Sequence, residues 1–236
     1  MQPVLSHPWT LSAEEAVALQ KKWAALVITE DDLPDSIKTV AGIDVAYNDT
    51  QAFAAVVLLE ADTGKQQQLV SAETTVQFPY VPGLLSFREV PAIMRALEKL
   101  SARPDLVLCD GQGIAHPRRF GLACHIGVLY DLPAIGCAKT RLTGRADEPG
   151  LTKGSYTDLL AKGQTIGAVL RTRDGVNPLY ISSGHRISLP TALQWILKLT
   201  TRYRLPEPTR LADQLVGQIK RKTIGSRDTT GEFFYS

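Results

Sequence analysis

A chain of 236 residues, 44% hydrophobic and 21% charged, has the length and composition of one ordinary globular domain that buries a core without disulfide or metal staples. Its net charge of +2 is too small to announce a nucleic-acid partner by itself, and no apolar run is long enough for a membrane-spanning helix. The three cysteines, Cys109, Cys124 and Cys137, are odd in number, sit in apolar runs and form no C-x-x-C, which argues against a disulfide framework or zinc site and for free buried thiols. Such thiols fit a reducing cytosol, and the N-terminus carries no basic stretch followed by an apolar one, so a cytoplasmic protein is expected.

The elements follow in chain order. Ser12 with Glu15 forms a capping-box pattern and predicts an N-terminal helix over about residues 12–29. TVAGIDVAY (39–47) reads as a strand, and FAAVVLLE and QLVSAETTV flank the turn ADTGK as a hairpin, so three antiparallel strands come first. After FPYVPG, the run LLSFREVPAIMRALEKL predicts a helix interrupted or begun at Pro91. PDLVLCD (104–110) is a short continuous apolar run, the pattern of a strand buried on both faces. A second helix is read from Pro117 through GLACHIGVLYD, and PAIGCAK (133–139) is another buried strand. Residues 140–158, rich in Gly, Thr and charge, read as a mobile loop. TIGAVLRT and PLYISSGHRIS predict two more strands, and TALQWILKLT and TRLADQLVGQIKRK two closing helices. The tail after about Lys222 carries no motif and is expected to be partly disordered. The order implies an α/β fold, a mixed sheet flanked by helices in one domain over 1–236, with functional groups at the carboxyl ends of its parallel strands.

Acidic residues stand at such places. Asp44 lies inside an apolar strand, where an ionised carboxylate is unfavourable unless something pairs with it. Asp110 ends a buried strand. Two carboxylates on central strands suit a shared magnesium ion, whereas Asp110 before Gly111 is also good turn chemistry. Glu89 is either the third helical residue of a capping box opened by Ser86 or, if the helix begins at Pro91, a ligand in the irregular segment before it. Gly111 and Gly113 of DGQGIAHPRR permit unusual backbone angles and close approach of a ligand. Arg118 and Arg119 after Pro117 fall in a first helical turn, where the dipole disfavours cations, so phosphate is a candidate partner and a solvated pair the alternative. His116 precedes that proline. Lys139 ends its strand level with Asp110 if the two strands pair in parallel, and there it either snorkels or faces charge on a phosphate. Asp213 lies roughly 130° from the middle of its helix's apolar stripe and by itself reads as a surface aspartate. In FPYVPG, Pro79 and Pro82 stiffen the chain about Tyr80 and Val81, leaving the aromatic little freedom.

AGIDVAY, PYVPGLLSFRE, PDLVLCDGQGIAHPRRFGLACHIG, PAIGCAKTRL, GHRIS and RLPEPTRLAD together closely resemble the endonuclease V family, in the family's order and over about Ala41 to Asp213. The resemblance implies an RNase H-like fold and a DNA repair endonuclease. Such an enzyme recognises deaminated bases, chiefly deoxyinosine, and hydrolyses the second phosphodiester 3′ to the lesion, leaving 3′-hydroxyl and 5′-phosphate ends. It implies Mg²⁺, with Mn²⁺ as a substitute, held by Asp44 and Asp110, with Glu89 joining directly or through water and Asp213 completing the acidic set. His116 and Lys139 are implied near the scissile phosphate. The block Pro79, Tyr80, Val81 and Pro82 is implied as a wedge entering the duplex, with Arg118 and Arg119 on the DNA. Gly83, Leu85 and Gly111 are implied as a pocket for the flipped base. The implied partner is damaged DNA, double- or single-stranded, bound by a monomer with no membrane association; inosine-containing RNA stays open. Gln112 occupies a variable position, and Cys137 departs from the family's pattern. Another nuclease of the same fold and a non-catalytic nucleic-acid-binding module are the alternatives.

Overall fold

The structure, a computed structural model, describes residues 1–48 and 50–228. Eight strands form one sheet in the order β3-β2-β1-β4-β5-β8-β7-β6. β1 (Thr39–Tyr47), β2 (Gln51–Glu60) and β3 (Gln66–Thr75) make an antiparallel meander. β4 (Leu106–Cys109) and β5 (Ala134–Ala138) run parallel to β1, and β6 (Tyr156–Ala161), β7 (Gln164–Leu170) and β8 (Leu179–His185) return antiparallel on the far side of β5. This mixed sheet with helices on both faces is the RNase H-like arrangement.

The alternation of side chains about the pleat decides which helix covers which residue. Ala41, Ile43, Val107 and Cys109 point to one face, where they pack with α2 (Leu85–Leu97) and α3 (Leu122–Tyr130). Val40, Leu106, Leu108, Ile135 and Cys137 point to the other, covered by α4 (Leu189–Leu199). On that same second face Phe53, Ala55 and Val57 of β2 meet Ala212 and Val216 of α5 (Glu207–Asp228). Gly42 lets α5 approach, since a Cβ there would lie 2.0 Å from the carbonyl carbon of Pro208. All three cysteines are free and buried. Among the described residues no helix is long and apolar enough to cross a membrane.

Four predicted elements are corrected. α1 spans Ala13–Trp23, capped by Ser12 and Glu15 as expected, but it gives way to a 3₁₀ turn at Ala24–Leu26 rather than reaching residue 29. The β-branched run Val27-Ile28-Thr29 disfavours helix, and the Ile28 carbonyl instead accepts from the Arg186 amide. α2 does not start at Pro91: the proline lies inside it, Leu84 is the N-cap, and Ser86 is no cap. Proline removes one helical bond, at about 3 kcal/mol, but burying Phe87, Val90, Ile93 and Leu97 at about 1.5–3 kcal/mol each outweighs it. α3 starts five residues after Pro117, so Arg118 and Arg119 are not in a helical first turn and the dipole argument for a phosphate there falls away. The segment read as a loop over 140–158 ends in β6, whose first residue is Tyr156. The tail is helical through Asp228; residues 229–236, on which the expectation of disorder also fell, lie outside the described residues.

Candidate active site

Asp44, Asp110 and Lys139 have the same parity as the residues facing α4 and α5, and they converge with α5's Asp213. Ile43 pairs with Cys109 and Cys109 with Gly136, so Asp44 and Asp110 stand level and Lys139 lies just past the end of β5 on the same side. The Asp110 amide donates to the Ile43 carbonyl at 3.0 Å, which fixes Asp110 beside Asp44. One oxygen each from Asp44, Asp110 and Asp213 lies within 4.8 Å of the others, a spacing that could hold a metal ion. The Lys139 ammonium is 2.6 Å from Asp110 and 2.7 Å from Asp213. Asp213, a surface residue by periodicity, keeps a side chain 46% exposed yet belongs to this group because α5's rim overhangs the strand ends.

Electrostatics agree with a cation site. Burial, then the neighbouring Asp110 charge, pushes the Asp44 carboxyl up to about 7. Burial also raises Asp110, although Lys139 opposes the shift. For Lys139 burial acts downward, but its bonds to Asp110 and Asp213 win and the ammonium is held above its ordinary range. A half-dry set of carboxylates whose charges repel one another, already drawn to one ammonium, offers the oxygen donors that a hard divalent cation takes. Glu89, 5% exposed, stands outside the group of three; burial and then Asp44 raise its carboxyl to about 8. The Tyr47 hydroxyl donates to Glu89 Oε1 at 3.3 Å, and the Arg88 guanidinium lies over the Tyr47 ring at 5.0 Å.

A cavity of about 490 Å³ adjoins the carboxylates, with Tyr80, Val81, Pro82, Gly83, Leu85, Gly111, His116 and Lys139 in its wall. Tyr80 is 67% exposed at its mouth, while Phe78 and Leu84 on either side are buried against Ala16 and Phe87. Gly83 has φ +79°, and a Cβ there would meet the Arg118 guanidinium at 2.7 Å. Gly111 and Gly113, by contrast, do not use positive φ; Gly113 serves close packing, since a Cβ would lie 2.1 Å from the Ser183 carbonyl oxygen. A larger hollow of about 980 Å³ between β3 and α2 lies away from the carboxylates.

The basic residues are more inward than expected. His116 is buried; its Nε2 donates to the Gly83 carbonyl at 2.9 Å and its Nδ1 accepts from the Arg118 amide at 3.2 Å. Burial, then Arg118, lowers this imidazole to about 4, so it is neutral at pH 7. Arg118 donates to the Gly83 carbonyl and to Gln20 Oε1. Arg119, at φ +57°, donates to the carbonyls of His116 and Ala161. Pro79 is exposed beside Tyr80. Two residues of the site carried no assignment in the sequence. Tyr47 closes AGIDVAY three positions after Asp44. Gln20 sits in the stripe Ala16, Gln20, Trp23, and a polar residue in a buried stripe was the available signal.

Carboxylates at the ends of the central strands of an RNase H-like sheet define a class, the metal-dependent nucleases. Within it the chain belongs to the endonuclease V family, whose sequence profile matches residues 21–214. It is 50% identical to endonuclease V of Trichormus variabilis over 217 residues, 91% of this chain and 98% of that one. The crystal structure of endonuclease V from Bacillus subtilis superposes with a TM-score of 0.91 at 32% identity, covering 96% of this chain and 100% of that one. Endonuclease V of Ciona intestinalis, solved in complex with a 24mer DNA containing an inosine followed by a ribo-adenosine, superposes with a TM-score of 0.79 at 28% identity, covering 89% and 98%.

Proposed function

We propose that this protein nicks DNA at deaminated bases, chiefly deoxyinosine, and hydrolyses the second phosphodiester bond 3′ to the lesion, with residues 1–236 acting as one catalytic unit and a monomer. The observation that carries the reading is the convergence of Asp44, Asp110 and Asp213 beside a cavity whose mouth bears an exposed, proline-stiffened Tyr80. Three free buried thiols suit the cytoplasm.

Asp44 and Asp110 would be the principal ligands of Mg²⁺, for which Mn²⁺ can substitute, with Asp213 completing the set and Glu89 joining it directly or through water. When bound, such an ion would polarise a phosphate and lower the pKa of a water. Hydrolysis overall puts the water oxygen on phosphorus in place of the 3′ oxygen and a proton on the departing 3′ oxygen, giving 3′-hydroxyl and 5′-phosphate ends. Lys139, ionised and held at Asp110 and Asp213, offsets charge on the departing 3′ oxygen. His116 is neutral and both its ring nitrogens are bonded, so it braces the wall near the scissile phosphate rather than delivering a proton. Tyr80 with Pro79, Val81 and Pro82 wedges the duplex. Gly83, Leu85 and Gly111 line the space for the extruded base, whose weaker pairing makes extrusion less unfavourable. Arg118 and Arg119 serve DNA contact by shaping this wall.

The test uses single-inosine DNA and RNA oligonucleotides with Mg²⁺ or EDTA, and maps the product ends. We expect a Mg²⁺-dependent nick at the second bond 3′ to inosine, lost in Asp44→Ala and Asp110→Ala while much of the DNA binding survives. Cutting that ignores the lesion, or that continues in either variant, contradicts the reading. Inosine-containing RNA is a second substrate, favoured by the ribo-adenosine in the Ciona intestinalis complex.

A further inference from the structure

Gln20 of α1 lies one residue before the family match and is 1% exposed, in a helix face otherwise made of Ala16 and Trp23. A buried amide is unfavourable unless its atoms are bonded. Here each is. Nε2 donates to the Gly83 carbonyl at 3.0 Å and to the Phe120 carbonyl at 3.1 Å, and Oε1 accepts from Arg118 Nε. Two carbonyl acceptors on one side and a guanidinium donor on the other fix which way the amide points. The Gly83 oxygen therefore receives three donors, from Gln20, from His116 Nε2 at 2.9 Å and from Arg118 at 2.6 Å. Gly83 closes the loop that presents Tyr80, and the left-handed φ of +79° turns its carbonyl inward to that convergence. Gln20 also holds Phe120, so one side chain clasps the Tyr80 loop to the segment 116–120 across the cavity.

We propose that Gln20 is a positioning residue for lesion discrimination: it sets the distance between the Tyr80 loop and the opposite cavity wall, and so the width of the space that accepts an extruded base. This rests on the reading of that loop as a wedge. Lost clasping would leave phosphate contacts in place but let the loop drift, and a displacement of about 1 Å is enough to spoil a preorganised site.

Gln20→Met keeps length and helix propensity and removes all three bonds. Gln20→Glu keeps the acceptor for Arg118 and removes both donors, and it serves should Gln20→Met fail to fold. Affinity is measured by fluorescence anisotropy with Ca²⁺ for an inosine duplex and for the matching undamaged duplex. A 2-aminopurine beside the inosine reports unstacking. We expect undamaged-duplex affinity within about twofold of wild type, a preference for inosine reduced about tenfold or more, and a weaker 2-aminopurine signal. An unchanged preference and signal, or an equal loss on both duplexes, makes Gln20 only structural and overturns the inference. A wild type with no inosine preference refutes the wedge reading itself, and the inference with it.

Discussion

At the scale of single residues, the buried carboxyls carry the sharpest consequence. Glu89 titrates near 8 in the fold because burial and Asp44 both disfavour its charge, while the unfolded chain ionises it near 4.5. A carboxyl raised on folding contributes stability that is complete below the unfolded value and is lost as pH rises through the folded one. Across the window from 4.5 to about 8, the wild type is therefore progressively penalised at this position. Glutamine has the shape of the protonated acid, keeps an acceptor for the Tyr47 hydroxyl and never ionises. In EDTA, Glu89→Gln should be more stable than wild type by roughly 1–3 kcal/mol at pH 8, with the gain vanishing toward pH 4.5. Thermal unfolding of both proteins across that range checks this; a gain independent of pH, or a loss at pH 8, rules it out. Asp44, raised to about 7 by burial and Asp110, should show the same sign in Asp44→Asn.

At the scale of elements, the N-terminal segment ahead of α1 is tied down by a chain of neutral imidazoles. His7 Nδ1 bonds to the Pro8 carbonyl at 2.7 Å and must carry the proton, so His7 Nε2 accepts from His125 Nε2 at 2.8 Å, and His125 Nδ1 accepts from the Ser86 hydroxyl at 3.0 Å. Trp9, Trp23, Phe87 and Phe120 enclose His125, which is fully buried. Burial, then His7, holds its pKa well below 6.5. A base depressed on folding contributes stability present above the unfolded value of 6.5 and lost as pH falls below it. His7→Ala should lower stability by about 1–3 kcal/mol and open the N-terminal segment to hydrogen exchange. The stability difference between wild type and His125→Gln should narrow between pH 7 and pH 5; a difference that stays constant excludes a neutral buried imidazole. None of this was legible beforehand, because His7, Ser86 and His125 meet only through tertiary packing. What was legible rested on local period. β1, the β2–β3 hairpin, β4 and β5 follow from alternation or short apolar runs, and the parity that aims Asp44, Asp110 and Lys139 at one face follows from it too. The start of α2 was hidden because Pro91 speaks against helix locally while the burial of Phe87 and Val90 acts only in the fold. β6 was hidden because its pairing with β7, rather than its own exposed pattern, makes it a strand. Asp213 was legible only through the family resemblance, because helical periodicity locates the core and says nothing of a half-exposed residue that points to a strand end.

On the scale of the whole molecule, the acidic site joins the central strands to the last helix. Asp44 and Asp110 belong to the central parallel pair of the sheet, and Asp213 to the last helix, pressed onto β1 where Gly42 admits Pro208. Their mutual repulsion works against that docking, and Lys139 offsets only part of it. A divalent cation that binds the folded chain and not the unfolded one must then stabilise the fold as a whole, by about 2.7 kcal/mol at a hundredfold excess over its dissociation constant. For a domain of this size that is a rise in Tm of about 5–10 °C. Asp44→Asn or Asp110→Asn should abolish the rise. Asp213→Asn should keep part of it, since its side chain is half exposed and already bonded to Lys139. Thermal unfolding in Mg²⁺, Mn²⁺ and EDTA distinguishes these outcomes without any substrate. An equal rise in Asp44→Asn would place the ion elsewhere, and a wild type whose Tm neither ion moves would mean that none is held; in either case the three aspartates would be a charge cluster held together by Lys139 alone.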